Sequence, residues 1–377
     1  MESVDLYQAI GGRGMCRQLS EAFYGRVKRD PVLRPLFPGK SLKCAVEAFA
    51  AFLAQFLGGP TEDAQGRWWL SLRESHLRFN IGPRERRSWM SNMVEALEEV
   101  PIDEPIRLAL RNLFERSSAY IVNNGQGVGE LDAPEKPSHD RIHREMAQRW
   151  AEQRALDDLV AAIRHDDSRR FLELVRSPTL DLRFSRDRAV FAHVLGLMVA
   201  GGNDALLEYA ERELLADPAL ARVPNRYDRT LLHDASAKKN LRMVELLLRL
   251  GADPNAGGHP PLYCVANECP VTGGGDVVQA LVRAGARVDQ RSDSKRCTAL
   301  HMAARRGNTE VAKALLDCGA DINARDRAGV TPLQRAKNCR KAAVALLLAS
   351  RGADARLSTS QSRGSARAGK GADWPNL

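Results

Sequence analysis

A glycine returns at a near-constant interval through the second half of the chain, and no other feature restricts the fold as strongly. The phrases LGADPNA, AGARVDQ, CGADINA and RGADARL place Gly251, Gly285, Gly319 and Gly352 at spacings of 34, 34 and 33 residues. Upstream of each glycine a second phrase recurs, in turn TLLHDA, PPLYCVA, TALHMAA and TPLQRA, positioned to open a short helix. A unit of this length cannot bury its apolar face alone and does so only against its neighbours, so the repeats stack into an elongated solenoid. The glycines end helices in a conformation that favours glycine, which makes them structural.

Two weaker copies precede these four, because DDSRRFLELV and GNDALLEYA hold the place that KNLRMVELLL and GNTEVAKALL hold later. The array resembles ankyrin repeats, whose period is about 33 and whose helix-opening phrase is T-P-L-H-x-A. The match is strongest from Tyr227 to Asp354. The resemblance implies an α-solenoid over residues 141–355 of about six repeats, the first two degenerate, that binds a protein partner and has no catalytic pocket. The long interval between Thr230 and Thr298, with Pro260-Pro261 and Pro270 inside it, predicts one irregular repeat. For His233 and His301 in the T-x-L-H phrase, it implies hydrogen bonds to backbone in adjacent turns rather than metal ligation.

Residues 1–124 are patterned differently. Leu19, Phe23 and Val27, then Val46, Phe49, Phe52, Leu53 and Phe56, then Trp89, Met93, Leu97 and Val100 recur at helical spacing, as do Ile106, Leu110, Leu113 and Ile121. No strand-like alternation interrupts them. Breaks at Gly11-Gly12, Asp30-Pro31, Arg34-Pro35, Gly58-Gly59-Pro60 and Gly82-Pro83 divide the segment into about six helices. Residues 125–140 mix Gly, Pro and charge without period and read as a flexible linker. The Ser-, Gly- and Arg-rich residues 356–377 read as a disordered basic tail. The chain is therefore expected to be all-α.

Composition removes other classes. Apolar residues make up 44% and charged residues 27%, ordinary globular usage. The most apolar stretch, Cys44–Leu57, is shorter than the roughly 20 residues that span a bilayer. With no signal-like N-terminus, a cytoplasmic location is expected and a membrane role is not. Seven scattered cysteines without a Cys-x-x-Cys pair indicate neither a disulfide framework nor a zinc ribbon. A net charge of +9 is spread among acids, so nucleic acid is not the expected partner. His139 and His143 share a four-residue spacing but lack a third ligand.

His76 is the only histidine before the linker, and it follows Trp69 and Leu72 on an apolar stripe. Such a histidine is either a satisfied core residue or a metal ligand. Around it, LYQAIGG at Leu6 to Gly12, FYGRV at Phe23 to Val27, DPVLRPLFP at Asp30 to Pro38, GGP at Gly58 to Pro60 and SHLRFNIGPRERRSW at Ser75 to Trp89 follow in order. In these phrases and their separations, residues 1–124 are similar to group II truncated haemoglobins. Phe56-Leu57 stands where that family usually has Tyr-Trp, and Thr61-Glu62-Asp63 replaces a Tyr-Ser-Glu segment.

The resemblance implies a two-over-two helical sandwich holding haem b, with His76 as the proximal iron ligand. Tyr24 and Trp89 would offer an O–H and an N–H to a bound gas, and Phe37 would pack against the porphyrin. Ala45 falls where many globins carry a distal histidine, with Phe49 and Phe52 walling the pocket beyond it. Arg73 is the expected partner of a haem propionate, and Arg78 is assigned to solvent. The implied function is reversible binding of a diatomic gas (O2, NO or CO) beside a protein-binding repeat module. The alternatives are a haem enzyme, oxidising nitric oxide or reducing peroxide with a separate reductase, and a gas sensor signalling through the repeats. No flavin or nicotinamide fingerprint appears in the sequence, and the linker composition argues against tight coupling of the halves.

Overall fold

The structure is a computed structural model of the 377-residue chain and describes residues 5–37, 39, 41–60, 71–124, 141–201, 203–225, 228–268, 273–292 and 295–354. The expected linker at 125–140 and tail at 356–377 lie outside these residues, as does Trp69. All regular elements among them are helical. They form two compact units, Met1–Leu231 and Leu232–Leu377.

The first unit opens with α1 (Leu6–Ile10), capped by Asp5, whose carboxylate accepts from the Gln8 amide at 3.0 Å. It continues through α2 (Gly12–Val27), α3 (Lys43–Leu57), α4 (Leu72–His76), α5 (Pro83–Glu99) and α6 (Glu104–Tyr120). Six α-helices thus fill the segment, the number that the breaks imply. α2 packs on α3 and α5, and α5 on α6, the globin-like bundle. Its core holds Leu19, Phe23 and Val27 from α2, Leu53 and Leu57 from α3, Met93 and Leu97 from α5, and Leu110 and Phe114 from α6. The Asp30-Pro31 break is tied to α5. Asp30 accepts from the Val32 and Leu33 amides, each at 2.8 Å, and from Ser88 Oγ and Asn92 Nδ2 at 2.5 and 2.6 Å. α3 stops at Gly58, in the left-handed region at φ +88°.

Five more α-helices, α7 (Arg141–Arg164), α8 (Ser168–Val175), α9 (Pro178–Arg186), α10 (Arg188–Gly201) and α11 (Asp204–Ala216), and a short 3-10 helix at Pro218–Arg222 follow in this unit. The division at Leu231 falls well after the composition-based linker, and α7 supplies the reason. It buries Met146 and Trp150 in the same hydrophobic core as α1–α6 and packs on α1, α3, α4 and α6. Its length, 24 residues, carries it past all of them.

The second unit stacks helix pairs: α12 (Leu231–Ala237) with α13 (Leu241–Arg249), α14 (Pro261–Asn267) with α15 (Gly275–Arg283), α16 (Ala299–Arg306) with α17 (Thr309–Asp317), and α18 (Pro332–Asn338) with α19 (Ala342–Ser350). Gly251, Gly285, Gly319 and Gly352 follow the second helix of each pair at φ +83° to +95°. The irregular repeat keeps this plan, with Pro261 taking the first position of α14. His301 is fully buried. Its Nδ1 accepts from the Thr298 amide at 3.2 Å, and its Nε2 bonds the Val330 carbonyl at 2.9 Å, in the next repeat. His233 does the same toward Ala256, at 3.0 Å.

Candidate functional site

α4 is five residues long, too short to be stable alone. Ser71 begins it, its Oγ accepting from the Glu74 amide at 3.0 Å. His76 ends it, half-buried, with Nδ1 2.7 Å from the Leu72 carbonyl and 3.0 Å from Ser75 Oγ. A carbonyl only accepts, so this contact puts the proton on Nδ1 and leaves the Nε2 lone pair free. Burial, aided by the Arg78 cation and opposed by the Leu72 hydrogen bond, lowers the His76 pKa below the usual imidazole range. The ring is neutral at physiological pH, the form that ligates a metal.

From His76 a run of aromatic rings leads across the bundle. Phe79 lies 6.1 Å from the imidazole and 5.7 Å from Phe37, and Phe37 meets Tyr24 edge-on at 5.6 Å. Tyr24 in turn touches Phe23 at 5.0 Å and Phe49 at 6.3 Å, and Phe49 stacks on Phe52 at 6.4 Å. Tyr24, Phe37, Phe49, Phe52 and Phe79 are only half-buried although each contacts other apolar rings. Five partly open aromatic rings in one run make an apolar face of the kind that lines a site for a flat apolar ligand. Burial, partly offset by the Arg78 cation, raises the Tyr24 pKa far above the usual phenol value. Its hydroxyl therefore stays protonated and can donate.

The remaining expected residues are distributed less evenly. Ala45 is half-buried in the first turn of α3. Trp89, half-buried like Tyr24 and Phe37, lies 5.2 Å from Phe23 and 5.6 Å from Phe114. Arg73 is turned toward α6, its guanidinium 4.4 Å over the Tyr120 ring. Arg78 is exposed, as the sequence reading expects, and it is also the cation that acts on both His76 and Tyr24, lying 4.7 Å over Phe79. Phe23, Phe79 and Phe114 also had no role in the sequence reading. Phe79 was findable, since it stands three residues after His76 in a quoted phrase. Among the described residues, no group of three His, Cys, Asp or Glu side chains is placed to hold a metal ion. No described helix is long and apolar enough to cross a membrane.

Comparison with known proteins agrees with this geometry. The profile of the bacterial-like globins matches residues 5–123, that of three-copy ankyrin repeats matches 262–359, and that of a single ankyrin repeat matches 227–259. Group 2 truncated hemoglobin YjbI of Bacillus subtilis is 34% identical over 117 residues, which are 31% of this chain and 87% of that protein. The mitochondrial disaggregase of Bos taurus is 30% identical over 157 residues, 40% of this chain and 23% of that one. A solved hemoglobin from Chloroflexus aurantiacus is 38% identical, covering 32% of this chain and all of its own, at a TM-score of 0.31. With an α-helical bundle, an aromatic face of this composition and a relative matched over most of its length, the chain belongs to the truncated globins and carries C-terminal ankyrin repeats.

Proposed function

We propose that the globin segment holds haem b through His76 and reversibly binds a diatomic gas, while the ankyrin repeats bind a protein partner. The observation that supports this most is the state of His76: neutral, tethered at Nδ1 to Leu72, with Nε2 free at one end of a run of aromatic rings. The donor set fits haem, which needs one imidazole nitrogen, flat apolar walls and a cation near the propionates. Haem iron, when bound, would supply a Lewis-acid centre that His76 would ligate and that would take up a diatomic gas. The chain does the rest. Phe37, Phe49, Phe52 and Phe79 exclude water, and Arg78 would pair with a propionate. Tyr24 donates its hydroxyl to a polar gas ligand in a water-poor site. Trp89, packed between Phe23 and Phe114, fixes the rings behind it.

The test is the visible spectrum of protein expressed with haem supplied, beside His76→Ala. A Soret band in the parent that the variant loses is the expected result, and a colourless parent would refute the reading. Turnover of nitric oxide or peroxide is checked on the same preparation by adding a reductase and following substrate loss.

A further inference from the structure

Asp157 lies on α7, beyond residues 5–123 that match the globin family, and is only 4% exposed. Neither carboxylate oxygen has a partner at full hydrogen-bond geometry. What it faces is the start of α4: the Ser71 hydroxyl and the Leu72 and Arg73 amides are near enough to favour its charged form. Ser71 Oγ already accepts from the Glu74 amide, so its own proton is free to be donated. The first amides of a helix have no acceptor inside it and carry the positive end of its dipole. A carboxylate this buried needs such donors.

Leu72 joins this contact to the imidazole. Its amide faces Asp157, while its carbonyl accepts from His76 Nδ1 at 2.7 Å. One residue therefore separates the carboxylate from the hydrogen bond that orients the proximal ring. Two further contacts draw α4 toward α7. Arg164 Nε lies 3.4 Å from Glu74 Oε1. Arg73 covers one side of Tyr120, whose ring also meets Trp150 at 5.5 Å and Arg154 at 5.6 Å. A helix of five residues takes its position from such neighbours rather than from its own hydrogen bonds.

We propose that Asp157 is a positioning residue for His76: from α7 it anchors the N-terminus of α4 and so sets the angle at which the imidazole meets the haem. The globin site is then completed by a helix outside the globin family's own segment. This role rests on the haem reading only in naming His76 the iron ligand; the anchoring of α4 does not depend on it.

The experiment uses the full chain and two readouts. Amide hydrogen exchange over residues 71–77 is compared in parent, Asp157→Asn and Asp157→Ala, and the iron–histidine stretching band is recorded by resonance Raman on the ferrous, haem-loaded proteins. The isosteric Asn variant, which preserves packing, is expected to speed exchange at 71–77 about ten-fold or more, with α2 and α5 unchanged, and to shift the band. The Ala variant moves both further, and Asp158→Asn, a change at the exposed neighbour, moves neither. Exchange at 71–77 equal to the parent overturns the proposal. Faster exchange with an unmoved band also overturns it, because the anchor would then not reach the imidazole. A parent that takes up no haem defeats both this role and the haem reading; its missing Soret band tells it apart from the other two failures.

Discussion

Tyr24 and Asp157 are ionisable groups whose pKa values burial raises alike, with different consequences at neutral pH. For Tyr24 it keeps the hydroxyl neutral and able to donate. One such donor is worth about 1–1.5 kcal/mol net, roughly a factor of five to ten in a rate. Stopped-flow measurement of Tyr24→Phe is accordingly expected to show gas release roughly five- to ten-fold faster than the parent, and an unchanged rate would remove Tyr24 from the site. For Asp157, burial, only partly offset by Ser71, the Leu72 and Arg73 amides and the Arg73 cation, raises the pKa to about 6 from 3.8. Between those values the folded chain holds a proton that the unfolded chain has released. The contribution is therefore present at low pH and is lost as pH rises through about 6, in all about 2–3 kcal/mol. Denaturant titrations at pH 5 and pH 7.5 should show the Asp157→Asn variant gaining on the parent at the higher pH, and a difference independent of pH would contradict the shift. The residue types His76, Tyr24, Phe37 and Phe49 were legible from the quoted phrases. Arg78 was not, since Arg73 and Arg78 flank His76 on either side and only the packing of Tyr120 shows which one turns away.

Helix ends repeat the pattern. Breaks at Gly58-Gly59-Pro60 and Gly82-Pro83 mark where α3 ends and α5 begins, because glycine and proline act through the local backbone. The breaks do not say what lies against them. A Cβ on Gly59 would stand 2.6 Å from the Tyr7 ring, and one on Gly58 would stand 2.7 Å from Arg149 on α7. Tyr7 is itself buried core. Gly59→Ala is thus expected to lower the stability of the first unit by about 1–3 kcal/mol, as overpacking against a ring does. Thermal unfolding followed by near-ultraviolet dichroism measures it, and a shift within error would mean that Tyr7 moves aside freely. α4 was the element least visible in advance. Five residues hold little more than one turn, too few for a helical period to register in the sequence.

The division into two units predicts independent failure. His301 joins two repeats through Thr298 and Val330, so His301→Ala should leave buried polar groups unmet and destabilise the repeats by about 1–3 kcal/mol. Haem uptake by the first unit should be unchanged. Calorimetry and the Soret band on one sample decide this, and a joint loss would show that the two units unfold together. The 33- to 34-residue period, the helical spacing of the first 124 residues and the order of the phrases around His76 were enough to identify a truncated globin followed by ankyrin repeats, because each depends on residues near one another in the chain. That α7 shares the globin core through Met146 and Trp150, and that Asp157 faces α4, depends on surfaces far apart in sequence. Tertiary packing alone could assign those contacts, since a helix's pattern shows that it has a face to bury and not what it is buried against.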